Sequence, residues 1–264
     1  MRKTFLYEER GALAMMLSII VCSRDAAMCA RLERNVARTI GVDHEFIRVN
    51  NETNQRGICA AYNEGMRHAK GDYFLFVHED VLFITQDWGV LLAEDFGQRE
   101  AVCVGIAGSE VLPKSNAWFR AGQPYIHGHF VMSLNQQQDL EIHNAPNIDI
   151  AEGVSLDGVF IAVQAALARE LRFDDEHFPA FDFYDADFTL RCAEHGRLLI
   201  DPRIFLKHFS RRGFADDYFF HPVFQALHGA RLPYSKIGVT ELEGRDEVEI
   251  YSRSIPILRF PEED

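Results

Sequence analysis

Glycine is scarce where a nucleotide-binding α/β fold most often needs it. After the first apolar run the chain reads Ser23-Arg24-Asp25-Ala26-Ala27, with none of the closely spaced glycines of a Rossmann dehydrogenase or methyltransferase. A P-loop is missing as well. No run of Lys or Arg is long enough to follow a phosphate backbone, and 27 basic against 40 acidic residues leave a formal charge of -13, so nucleic acid is not an expected partner. There is no Cys-x-x-Cys pair. The five cysteines, Cys22, Cys29, Cys59, Cys103 and Cys192, fall largely in apolar runs and read as buried thiols of a reducing compartment. Long apolar stretches are lacking too: Leu13 to Cys22 and Val159 to Ala168 fall short of the roughly 18 to 20 residues that cross a bilayer. At the start, Glu8, Glu9 and Arg10 interrupt the basic beginning before any apolar core develops, unlike a signal peptide. The expected location is the cytoplasm, with contact to the inner face of a membrane left open.

What is present supports burial. With 264 residues, 47% of them hydrophobic and 12% aromatic, the chain can enclose one large core, and 1–264 is taken as a single domain. Leu17 to Cys22 is a short, β-branched apolar run, the pattern of a strand covered on both faces. Ala26 to Ile40 carries Met28, Leu32 and Val36 on one stripe and stops at Gly41, as a helix would. A strand over Glu45 to Val49, a helix from Ile58 to Ala69, a Lys-Gly-Asp turn at 70–72 and a buried strand at Tyr73 to Val77 follow. This alternation predicts right-handed crossovers and a mainly parallel sheet flanked by helices. Further on, strands are expected at Val102 to Ala107, Tyr125 to Leu134 and Ile204 to His208, and a helix at Asp185 to His195 with Phe188, Cys192 and Ala193 inward. Trp118 to Gln123 reads as loop, Gln136 to Asp149 as a polar surface excursion or mobile loop, and no repeat or low-complexity linker is visible.

Sheets of this kind bind ligands beyond the carboxyl ends of their strands. Three polar segments lie there: Ser23-Arg24-Asp25, Asn50-Asn51-Glu52 and His78-Glu79-Asp80. Asp80 offers a hard oxygen for Mg2+ or Mn2+, and His78 a borderline nitrogen that shifts preference toward Mn2+. Positions i and i+2 of extended chain point the same way, so His78 and Asp80 can converge while Glu79 faces the other side. Taken alone, such a tripeptide is more often an ordinary polar turn. His127-Gly-His129 has the spacing of a metal pair on a strand, but without a third ligand nearby it reads as incidental.

The order of elements, with the Lys-Gly-Asp turn, the all-apolar strand and the acidic tripeptide, resembles the family 2 glycosyltransferases of the GT-A fold, over residues 17 to 96 and again over 153 to 210. The family's Asp-x-Asp stands where His78-Glu79-Asp80 stands here. His78 replaces the first aspartate, whose usual task is to contact the donor ribose or a metal-bound water. The His-x-Asp version is similar to a glycosyltransferase-like subgroup that includes a protein of streptomycin gene clusters.

The resemblance implies a divalent cation, Mn2+ or Mg2+, and a nucleotide-diphospho-sugar donor, with a UDP-sugar favoured. It divides the chain into a donor half over about 17–110 and an acceptor half over about 111–212, with 213–264 an extension of unassigned role. Phe181-Asp182-Phe183-Tyr184-Asp185-Ala186-Asp187 through Arg191 matches the family segment in which an aspartate deprotonates the acceptor hydroxyl. By that match Asp185 is the catalytic base, with Asp182 as competitor and Asp187 a capping or orienting residue. His208 matches a late histidine that completes the metal or diphosphate site, and beside it the pair Arg211 and Arg212 suits a pyrophosphate. The set facing the donor is then Ser23, Arg24, Asn51, Glu52, His78, Glu79, Asp80, Arg211 and Arg212, with Asp80, His78 and His208 on the metal. Asp157, before Gly158, lies in the stretch that would face the acceptor.

A sugar nucleotidyltransferase would need a glycine-rich basic loop after the first strand. The Gln-x-x-Arg-Trp segment of processive synthases is absent too, so transfer of one sugar at a time, with inversion, to a small-molecule, glycan or lipid-linked acceptor is the expectation. The alternative is a catalytically inactive nucleotide-sugar-binding or regulatory protein on the same scaffold, since fold does not fix function. Oligomeric state is not legible.

Overall fold

The computed structural model describes residues 15–134, 138–143, 149–209, 220–245 and 252–261. Its first part alternates strand and helix: β1 (Leu17–Ser23), α1 (Ala26–Thr39), β2 (His44–Asn50), α2 (Ile58–His68), β3 (Tyr73–Val77), β4 (Val81–Phe83), α3 (Trp88–Gly97) and β5 (Ala101–Gly105). Asp25 starts α1 by accepting from the backbone N–H groups of Ala27 and Met28, two of the donors a helix leaves unpaired at its first turn. Cys29, Leu32 and Val36 then face the sheet at helical spacing.

The middle of the chain is β-rich: β6 (Ala107–Ser109), β7 (Val111–Leu112), β8 (Ile126–Leu134), β9 (Gln138–His143), β10 (Ala151–Gly153), β11 (Ser155–Leu156) and β12 (Phe160–Gln164). The last part holds α4 (Ala165–Leu171), α5 (Tyr184–His195), β13 (Arg197–Ile200), β14 (Leu206–His208), α6 (Pro222–His228), β15 (Tyr234–Ser235) and β16 (Ser252–Ile255).

Seven strands form the central sheet in the order β10-β13-β5-β12-β3-β1-β2. β2, β1 and β3 run parallel, as do β13 and β5, but β12 is antiparallel to both β3 and β5, and β10 to β13. The sheet is therefore mixed. A second sheet runs β11-β6-β8-β14-β4, with β9 on β8 and β16 on β9. The run expected as one strand from Val102 to Ala107 breaks at Ile106, β5 staying in the central sheet while β6 joins the second.

Two further expectations change. Trp118–Ala121 is a short 3-10 turn within the segment read as loop. The polar stretch 136–149 contains β9, whose Ile142 is buried and whose Asp139 and Glu141 are buried as well. Composition misled there because these carboxylates have partners: Asp139 meets Lys207 at 2.9 Å, and Glu141 binds His129 and Arg253.

One continuous core ties the sheets and helices together. At its centre Phe173 stacks on Phe188 at 4.1 Å, while Tyr62 packs on Phe76 at 4.9 Å and on Phe173 at 5.2 Å. Those rings fix α2, β3 and α5 against one another, and so set the start of α5 beside the end of β3.

Candidate active site

The tripeptide after β3 carries the chain from the central sheet to the second. His78 donates its backbone N–H to the Val159 carbonyl at 3.2 Å, and β4 then pairs antiparallel with β14, placing Val81 opposite His208. The Phe209 N–H donates to the Asp80 carbonyl at 2.8 Å, extending that pairing one step. This register brings His208 Nε2 to 3.4 Å from Asp80 Oδ1, and the His78 ring lies 5.7 Å from the His208 ring, centroid to centroid. One donor atom from each of His78, Asp80 and His208 falls within 4.8 Å of the others. Two imidazoles and a carboxylate form a mixed nitrogen and oxygen set, which suits Mn2+ better than Mg2+.

Burial and charge keep the three in complementary states. Burial would raise Asp80, but the hydrogen bond and charge of His208, then the charge of His78, hold its carboxyl below the usual range. Burial would lower His208, and Asp80 more than offsets it. In His78 burial prevails over the pull of Asp80, so its imidazole favours the neutral form.

Tyr184, the first residue of α5, orients His78. Its hydroxyl donates to the Gly158 carbonyl at 3.0 Å, which can only accept, so the contact of 2.8 Å with His78 has the ring Nε2–H donating to the phenol oxygen. Nδ1 then keeps the lone pair for a cation. The close approach explains Gly158: a Cβ there would stand 2.1 Å from Tyr184 Oη.

Asp185 follows directly. Its Oδ2 accepts from the Gly158 N–H at 2.9 Å and its Oδ1 from the Ala186 N–H at 2.8 Å. Burial, and then the charge of Asp157, push this carboxyl up to about 7, against the backbone hydrogen bonds that favour its charged form. Asp157 also exerts its field on His78 and His208, so it is part of the same electrostatic unit. Asp182 is half-buried ahead of the helix. Asp187 turns away, to Arg191 and to His228 Nε2 at 2.7 Å on α6, and so anchors the C-terminal extension.

The remaining sequence candidates separate into groups. Glu79 does not join the cluster: it accepts from the backbone N–H of Arg24 at 3.0 and 3.1 Å and of Asp25 at 3.0 Å, holding the turn between β1 and α1. Asn51 is buried and closes its own loop, accepting from the Arg56 N–H at 3.3 Å and donating to the Arg56 carbonyl at 2.8 Å. Neither side chain is turned to a ligand, because backbone groups in both turns would otherwise lack partners. Ser23 accepts from Arg48 Nε at 2.9 Å, and Arg48 also pairs with Glu52, so these three meet at the carboxyl ends of β1 and β2. Arg24 is exposed beside them. Arg211 and Arg212 lie outside the described residues. Sequence reasoning missed Tyr184 and Arg48. The aromatic run Phe181 to Tyr184 just before a helix with two early aspartates was the available signal for the first; nothing marked the second.

The family described as glycosyltransferase-like matches residues 18–204. No curated protein matches the sequence. Among solved structures, GalNAc-T7 with UDP, GalNAc and Mn2+ is similar with a TM-score of 0.54 and 10% identity, over 76% of this chain and 45% of that one. The mannosyltransferase PcManGT of Pyrobaculum calidifontis, in complex with GDP-Man and Mn2+, gives 0.50 and 14%, over 75% and 58%. S. aureus TarS 1-349 gives 0.50 and 14%, over 74% and 60%. The chain thus spans about half of the length of these structures, and at such identities the likeness is one of fold, the GT-A arrangement. Among the described residues no helix is long and apolar enough to cross a membrane.

Proposed function

The chain belongs to the glycosyltransferase-like family, and from that premise we propose that it transfers a sugar from a nucleotide-diphospho-sugar, UDP-linked by preference, to an acceptor hydroxyl. The transfer is of single residues, with inversion, to a small-molecule, glycan or lipid-linked acceptor. The observation that carries the proposal is the convergence of His78, Asp80 and His208 at the end of β3, beside a carboxyl raised to about 7. UDP with Mn2+ in GalNAc-T7, and GDP-Man with Mn2+ in PcManGT, support a donor and an ion of these classes.

In this reading His78, Asp80 and His208 would hold Mn2+, which supplies positive charge to the leaving diphosphate. His208 holds Asp80 ionised, and Tyr184 engages Nε2 of His78, which leaves the lone pair on Nδ1. Asp185 takes the proton of the acceptor hydroxyl; a carboxylate titrating at about 7 is a stronger base than an ordinary one and is still ionised in a useful fraction at neutral pH. Asp157 contributes negative charge that supports that basicity. Ser23, Arg24, Arg48 and Glu52, at the carboxyl ends of β1 and β2, would face the nucleoside.

The test is a thermal-shift screen of UDP-, GDP- and dTDP-sugars with and without Mn2+, repeated on Asp80→Ala. Stabilisation by one nucleotide class that needs Mn2+ and is lost in the variant is the expected result. An equal response to every nucleotide, or to none, refutes the donor assignment. Binding without turnover by the unaltered chain identifies an inactive nucleotide-sugar-binding protein instead.

A further inference from the structure

The geometry points to a second metal site, built from His129, Glu141 and His143 on the second sheet, for a borderline divalent transition ion of the Zn2+ class. Strand register creates it. β8 and β9 pair antiparallel with His129 directly opposite His143, and Glu141, two residues before His143, shares its face. The two imidazoles stack at 4.3 Å and 24°, and their Nε2 atoms approach one carboxylate oxygen, Glu141 Oε1, at 3.0 and 2.7 Å. Each of the three offers a ligand atom within 4.8 Å of the others. The His127-Gly-His129 spacing is not what matters: His127 binds Glu110 at 2.6 Å, and the partners of His129 come from the neighbouring strand.

This place is separate from the candidate active site. β14 runs beside β8 with Lys207 opposite Val131 and His208 opposite Met132. By alternation His129 and Val131 share the face of Phe205 and Lys207, and His208 points to the other. Phe205 confirms the side by stacking on His129 at 4.2 Å.

The surroundings are those of a ligand set rather than of a simple ion pair. Arg253 on β16 holds the other oxygen of the carboxylate, Oε2, at 2.6 to 2.7 Å, which orients Glu141 and leaves Oε1 to the histidines. The two Nε2 atoms, both aimed at Oε1, face the space a shared cation would take, where each would offer its lone pair. Two nitrogens and one oxygen make a three-ligand set with a fourth position for water, and His143, about one-third exposed, leaves that position accessible. Ligand atoms around a tetrahedral Zn2+ with bonds of ~2.0–2.1 Å lie roughly 3.3 Å apart, against 3.0 and 2.7 Å from the two imidazoles to Glu141 Oε1. His143 ends its strand and can open by that amount. An ion there would tie β9 to β8.

The experiment uses the full chain and Co2+ as a spectroscopic substitute, counting tightly held metal after desalting in the unaltered protein, Asp80→Ala, His143→Ala, Glu141→Gln and the Asp80→Ala/His143→Ala double variant. Far-UV circular dichroism verifies folding, and Glu141→Gln keeps both histidines and the side-chain shape. The unaltered protein should hold two equivalents, each single variant one, and the double variant none. Zn2+ should raise the melting temperature of Asp80→Ala but not of the double variant. Unchanged metal content in both His143→Ala and Glu141→Gln, or no metal at all in Asp80→Ala, overturns the second site. The Asp80→Ala arm reports separately on the cluster at the end of β3, so failure of one site is not read as failure of the other.

Discussion

Replacing Asp185 by Asn tests both the electrostatics of the site and its chemistry. The carboxyl moves from an ordinary 3.8 to about 7 through burial and the charge of Asp157. At ~1.36 kcal/mol per pH unit, ionising it in the folded chain costs roughly 4 kcal/mol relative to the unfolded one. A raised acid binds its proton in the folded state where the unfolded state has lost it, so stability declines as pH rises from the ordinary value to about 7, then levels off. Integrated from pH 5 to pH 8, the wild type should lose roughly 2.5 kcal/mol that Asp185→Asn keeps. The amide also gives up one of the two acceptors that serve Gly158 and Ala186, a constant penalty of about 1–3 kcal/mol that does not vary with pH. Urea denaturation of both proteins at several pH values, in chelator to remove metal, measures the difference free of that constant. A gap between variant and wild type that stays fixed across the window refutes the raised carboxyl. In the kinetic arm, kcat/KM of the wild type should fall on the acid side, with an apparent pKa that bound Mn2+ draws below that of the metal-free carboxyl, and Asp185→Asn should retain donor binding while losing transfer. Full transfer by the variant would move the base to Asp182.

Other consequences are as direct. Tyr184→Phe removes the acceptor that fixes the His78 tautomer, and should weaken Mn2+ binding about 10–100-fold, measured by calorimetry; unchanged affinity would show that His78 needs no such partner. Gly158→Ala drives a methyl group into the Tyr184 hydroxyl and should reduce both Mn2+ affinity and melting temperature, whereas a neutral outcome would mean that Tyr184 can move without consequence. His228→Ala leaves Asp187 with Arg191 as its remaining side-chain partner. It should cost about 1–3 kcal/mol in urea denaturation, and its loss should make the 220–245 segment more susceptible to proteolysis.

Local pattern determined much of this protein. The β-branched run at Leu17, the stripe of Leu32 and Val36, and the apolar strand from Tyr73 to Val77 each carry their periodicity within a dozen residues, so the strand-helix alternation and the place of His78-Glu79-Asp80 at a strand end were legible. The helix of Asp185 was legible too, from its early acids and its stop at Gly196. Pairing between distant strands was not. Only the β4–β14 ladder sets His208 against Asp80, only the β8–β9 register gives His129 its partners, and only the packing of α5 against β3 sends Tyr184 to His78. Likewise Glu79 and Asn51, polar residues in ligand-ready positions, were taken by backbone groups whose need for partners appears only once the turns have formed. The sequence by itself determined which elements form and where chemistry could sit, because periodicity and turn chemistry are short-range. Which side chains meet was decided by the tertiary structure, because register and the burial of polar groups depend on contacts between segments far apart in the chain.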